Sequence, residues 1–101
     1  MEFIAVSKER ANLTPERARE LMRLFSQWQP PEGLTLKSLY FEAGGTRAFA
    51  LLETDRAASM MEVQATYADY LDFEFVPVIP AQDGAPIIGQ AQAWVDRMKR
   101  G

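Results

Sequence analysis

The stretch LKSLYFEAGGTRAFALLE, Leu36 to Glu53, decides how this chain folds. Two strand-like runs flank Gly44-Gly45, a pair suited to the positive φ angles of a tight hairpin turn. A hairpin with one solvated face alternates apolar and polar residues. This one does not: Leu39, Tyr40 and Phe41 run together, and Ala48 to Leu52 is unbroken. By simple alternation, Leu34, Leu36, Ser38, Tyr40 and Glu42 share one face of the first strand. Thr35, Lys37, Leu39, Phe41 and Ala43 take the other. In the second strand Arg47, Phe49 and Leu51 oppose Ala48, Ala50 and Leu52. Both faces of the hairpin are therefore apolar, and something must cover each.

Working outward, Glu2 to Ser7 has the Phe, Ile and Val content of a strand. LTPERARELMRLFSQW follows as a helix. Thr14 is a good N-cap, Pro15 suits the first helical position, and Glu16 and Glu20 lie where the helix dipole favours acids. Ala18, Leu21, Met22, Phe25 and Trp28 form its apolar stripe. Pro30 and Pro31 stop it. After the hairpin, Thr54 or Asp55 is expected to cap a second helix over about Arg56 to Tyr70, with Ala57, Met60, Met61, Gln64 and Ala68 on one side. Leu71 to Ile79 reads as a fourth strand, placed at a sheet edge by Pro77, which has no N–H to give to a ladder. PAQDGAP is expected to be a loop. Ile87 to Lys99 is an amphipathic helix with Ile87, Ala91, Trp94, Val95 and Met98 inward.

The order β-α-β-β-α-β plus a C-terminal helix is the split βαβ, ferredoxin-like pattern of the α+β class. It predicts a four-stranded antiparallel sheet with both helices on one face. The expectation is one domain, with a core over about residues 2–80 and a terminal helix over about 86–100. The hairpin's second face can then be covered in two ways. The C-terminal helix can fold across it, or a twofold-related sheet can stack on it as in a dimeric α+β barrel. One short helix covers only part of a four-stranded sheet, so a homodimer through the sheet face is the expected partner.

Composition narrows the chemistry. The chain has 101 residues and a net charge of -3 from 14 acidic and 11 basic residues. The basic residues are interleaved with acids, without the stripe that nucleic-acid binders use on phosphates, so no nucleic acid is expected. There is no cysteine and no histidine. Disulfides, thiol nucleophiles, imidazole bases and the usual zinc and haem ligands are excluded. No metal and no cofactor are expected. Asp69, Asp72 and Glu74 read as a solvated acidic edge rather than a metal site. MEFIAVSKER does not read as a signal peptide, and no apolar run approaches membrane-spanning length, so no membrane contact and a cytoplasmic location are the expectation.

PPEGLTLKSLYFEAGGTRAFALLETD and YADYLDFEFVPVI resemble a bacterial domain-of-unknown-function family, number 3303. The shared features are Pro30, Pro31 and Gly33, the pair Tyr40-Phe41, Gly44-Gly45, Glu53 to Asp55, and Pro77-Val78. The resemblance covers about Phe3 to Ile79. The family's aromatic pair is often Trp-His, where this chain has Tyr40-Phe41, and it often has Trp near Tyr67. The resemblance implies the dimeric α+β barrel superfamily, whose other members include cofactor-free oxygenases, polyketide cyclases, lactone isomerases and haem-degrading enzymes. It carries no agreed activity, and fold does not fix function.

With a two-residue turn, Glu42 lies opposite Arg47 and Tyr40 opposite Phe49, on one face with Ser38 and Leu51. Tyr40, Arg47 and Glu42 are the candidate catalytic residues: Tyr40 donating to a carbonyl, Arg47 stabilising an enolate, Glu42 orienting Arg47 or acting as base. A plain cross-strand ion pair is the ordinary explanation of the same residues. Trp28, Ser38, Phe49 and Tyr67 are the candidate substrate contacts. The Tyr67 and Tyr70 hydroxyls are expected to reach water, and Glu16–Arg19 and Glu20–Arg23 to pair along the first helix. The expected function is a cofactor-free small-molecule enzyme acting on a polyketide-like or aromatic compound. The alternatives are a non-catalytic binder of an apolar or aromatic ligand, or an interaction module.

Overall fold

The computed structural model describes residues 1–101. The elements are β1 (Glu2–Glu9), α1 (Pro15–Gln27), β2 (Leu34–Phe41), β3 (Arg47–Thr54), α2 (Ala57–Tyr67), β4 (Leu71–Val78) and α3 (Ala81–Arg100). The four strands form one antiparallel sheet in the order β2-β3-β1-β4. This is the ferredoxin-like α+β arrangement. β4 is an edge strand, so Pro77 sits where no outer neighbour asks for its missing N–H.

Local chemistry sets the element ends. Thr14 accepts a hydrogen bond from the Arg17 amide at 3.2 Å and caps α1, with Pro15 in the first turn. Neither Thr54 nor Asp55 is the N-cap of α2. Arg56 holds that position, and the Thr54 hydroxyl instead accepts from the Arg56 amide at 3.0 Å, while Asp55 pairs with the N-terminal amine. α2 ends at Tyr67, short of Tyr70, and its buried side is Ser59, Met60, Val63 and Tyr67. Met61 is exposed. The loop expected over PAQDGAP is instead the start of α3. The Pro80 carbonyl accepts from the Asp83 and Gly84 amides at 2.9 Å, and Pro86 adopts helical φ at the cost of one backbone bond.

β2 departs from strict alternation. Leu36 pairs with Leu52 but Ser38 pairs with Leu51, so Lys37 is the extra residue of a β-bulge. Each side chain beyond the bulge changes face. Leu34 and Leu36 therefore share the helix-covered face with Leu39 and Phe41, while Ser38 and Tyr40 point to the other. This corrects the strict period-two assignment and explains the broken pattern in the opening stretch. Lys37 itself is tied to Glu53 at 3.0 Å and to Glu2 at 3.6 Å.

The core lies between the helices and one face of the sheet: Ala5, Leu34, Leu52, Met60 and Val63, ringed by Phe3, Trp28, Leu36, Ala50, Phe73 and Phe75. The opposite face carries Ile4, Val6, Phe49, Leu51, Val76 and Val78 and has no cover within the chain. α3 does not fold across it. None of its residues is buried, so Ile87, Ala91, Trp94, Val95 and Met98 have no inside to face. The chain is consequently extended, with a radius of gyration of 18.3 Å against about 13 Å for a compact chain of this length. No helix is long and apolar enough to cross a membrane.

Candidate functional site

The two central strands present unusually small residues to the helices. Ala5 pairs with Ala50 and Ser7 with Ala48, side by side on the helix face. Large residues at these positions would fill the space under α1; these leave it open. The result is a cavity of about 430 Å³ between α1 and the sheet. Its floor is that quartet with Leu52. Its walls are Leu21 and Phe25 from α1, Trp28 at the C-cap of α1, Val63 and Tyr67 from α2, and Phe73 from β4. Met22 and Phe41, both well exposed, stand at its rim with Glu9, Thr46 and Arg47. A volume of this size lies in the range of small-molecule sites.

Tyr67 is the polar feature of the wall. It is 4 % exposed, and its hydroxyl is buried with no hydrogen-bond partner. This corrects the expectation that it reaches water. Its ring is held edge-on against Trp28, with centroids 5.8 Å apart, and tilted against Phe73 at 6.2 Å. Burial pushes the hydroxyl pKa up to about 12, so it stays a neutral donor across the physiological range. A donor left unpaired inside a protein costs about 1–3 kcal/mol. Tyr70, by contrast, donates to the Glu20 carboxylate at 3.2 Å and has the Arg17 guanidinium over its ring. Glu20 is thus engaged across to Tyr70 rather than along α1.

The sequence-derived candidates divide between the two faces of the sheet. Trp28 and Tyr67 meet in the cavity. Tyr40, Ser38 and Phe49 lie together on the uncovered face, with Tyr40 paired to Phe49 as the hairpin register requires. Glu42 and Arg47 close the hairpin: the Glu42 amide donates to the Arg47 carbonyl at 2.8 Å, and the Arg47 Nε donates to Glu42 Oε2 at 2.8 Å. The turn spans Glu42 to Gly45, with Gly44 at φ +81°, as a turn needing positive φ at its third residue requires. A Cβ on Gly45 would collide with Glu42 Oε1, so glycine is what lets the carboxylate fold back over the turn.

The Arg47 hydrogen bond holds the Glu42 carboxyl below the usual range, and Arg47 also stacks over Phe49 at 5.4 Å. Both charges are therefore engaged with each other, and a carboxylate of lowered pKa is a weaker base. Tyr40, 67 % exposed, stands in solvent with no enclosing wall. The residues missed by sequence reasoning are Ala5, Ser7, Ala48 and Ala50. Their signal was present as small residues at alternate positions of two central strands.

A family model described as Domain of unknown function (DUF3303) matches residues 1–92. No curated protein matches the chain.

Proposed function

We propose, for a chain that belongs to the DUF3303 family, that it binds a small and largely apolar molecule under α1, with one hydrogen-bond acceptor turned to Tyr67. The observations that carry this are an apolar cavity of about 430 Å³ lined by Tyr67 and the buried hydroxyl of that same residue, which has no partner within the chain. A flat aromatic ketone suits both features: its rings match the walls of Trp28, Phe25 and Phe73, and its carbonyl supplies the missing acceptor. The chain acts as a homodimer through the uncovered sheet face. The apolar centre of that face, Ile4, Val6, Phe49 and Leu51, is bracketed by Lys37–Glu53–Glu2 at one end and Arg47–Glu42 at the other, the pattern of an interface.

Calorimetric titration with 2-acetonaphthone and with 2-ethylnaphthalene, which lacks the carbonyl, tests the binding reading. The ketone is expected to bind the wild type about tenfold tighter, equivalent to one hydrogen bond, and Tyr67→Phe to abolish the difference. Absence of binding by both, or a preference that survives Tyr67→Phe, overturns it.

Glu9 lines the same cavity, and this favours catalysis as a second reading. Tyr67 would polarise the carbonyl and the Glu9 carboxylate would remove a proton α to it, giving an enol that is reprotonated. Deuterium uptake at the methyl group of 2-acetonaphthone in D₂O, lost in Glu9→Gln, is the expected sign. Uptake no faster than in buffer removes this reading and leaves binding.

A further inference from the structure

α3 is a 20-residue helix, about 30 Å long, that stands clear of the body and exposes Ile87, Ile88, Trp94, Val95 and Met98. Ile88, Ala91, Val95 and Met98 recur at the 3-and-4 spacing of a helix-pairing seam, with Ile87 and Trp94 along one flank. The chain as a whole exposes 7531 Å². A compact protein of its mass exposes about 5,800 Å². The excess, about 1,700 Å², is roughly twice the 800 Å² that each partner buries in a standard interface. Covering the open sheet face and α3 together accounts for a surplus of that size.

We propose that α3 is a dimerisation arm whose occupant is α3 of a second copy, packed antiparallel along this seam. It rests on the homodimer proposed above and adds a second, separable contact to it. The charges select the direction. Asp83 lies in the first turn and Arg97, Lys99 and Arg100 in the last. Parallel pairing would bring six cations together. Antiparallel pairing sets Ile88 against Met98 and Ala91 against Val95, and puts Asp83 at the end of the pair that carries Arg97, Lys99 and Arg100 of the second copy. It also opposes the two helix dipoles, and it is isologous, as a twofold dimer requires. Ala91 at the middle lets the two backbones approach.

Sedimentation equilibrium over a concentration series tests it. Ile88 and Val95 are exposed, so Ile88→Glu/Val95→Glu leaves the fold of each chain intact, as circular dichroism will verify. The expected result is a wild-type dimer whose Kd rises about 100-fold or more in that variant. Asp83→Lys is expected to weaken the dimer, since it adds a cation to the end that carries Arg97, Lys99 and Arg100 of the second copy. Leu51→Glu separates the two contacts. If Leu51→Glu dissociates the dimer while Ile88→Glu/Val95→Glu leaves its Kd unchanged, the arm is overturned and the sheet interface stands. A wild-type monomer at all concentrations overturns both. An unchanged Kd for Asp83→Lys overturns the antiparallel direction.

Discussion

The two faces of the sheet are built in reverse of what an isolated monomer needs. On the helix-covered side the two central strands carry Ala5, Ser7, Ala48 and Ala50; on the uncovered side the neighbouring positions carry Ile4, Val6, Phe49 and Leu51. At these central positions the larger side chains face outward and the smaller ones face the interior, while Phe3 and Leu52 farther along the same strands fill the core. An interior lined by small residues leaves a void that costs dispersion contacts. An outer face lined by large ones leaves an apolar patch. Each cost is offset if the inner face holds a ligand and the outer face packs on another sheet.

Leu51 and Leu52 set the comparison at its sharpest, since they are adjacent and of one type. Leu52 is 2 % exposed in the core, whereas Leu51 is only half-buried on the open face. Leu52→Ala is expected to cost about 3 kcal/mol, read as a lower urea midpoint with unchanged slope. Leu51→Ala is expected to cost less than about 1 kcal/mol at concentrations too low for the proposed dimer, and more as concentration rises. Equal losses at all concentrations would erase the distinction between the faces.

Tyr67 provides the next largest effect. The neutral hydroxyl is the form the fold favours, with its pKa moved from the ordinary value near 10 to about 12. Folding stability is therefore unaffected by this group below pH 10 and falls as pH rises from about 10 to about 12, by about 2 kcal/mol in all. Tyr67→Phe should remove that part of the decline, as measured by urea titrations at stepped pH. The same substitution should raise the stability of the ligand-free protein by about 1 kcal/mol, since it deletes a buried donor that has no partner. A loss of stability would mean that the hydroxyl is satisfied after all. At the small end, Glu42→Gln removes an exposed ion pair with Arg47 and should leave the thermal midpoint and ligand affinity unchanged within error. A clear loss of ligand affinity would instead return chemistry to the hairpin.

Much of this was legible in the residues. Thr14-Pro15, Pro30-Pro31, Gly44-Gly45 and Pro77 mark element ends or edges through their own backbone chemistry, and so the topology follows from short-range signals. The face assignment of β2 did not follow, because the Lys37 bulge answers to pairing with β3 and to Glu2 and Glu53, which lie far away in sequence. α3 was placed too late because Gly84 and Pro86 read as loop residues, whereas the helix runs through both, with Pro86 inside it lacking the N–H that would reach the Gln82 carbonyl. Its apolar stripe was visible, but its lack of any partner within the chain is a property of the whole fold. The candidate site was half legible. Trp28 and Tyr67 were recognised as aromatic groups at helix ends, but that they meet over a floor of alanines depends on cross-strand register.

The most direct measurement is a methyl-resolved NMR titration of the labelled protein with 2-acetonaphthone. The account predicts saturable shifts at the methyls of Ala5, Ala48, Ala50 and Val63, with Ile4, Val6 and Leu51 unmoved. Shifts confined to Ile4, Val6 and Leu51, with the alanines silent, would contradict it and place the ligand on the open face.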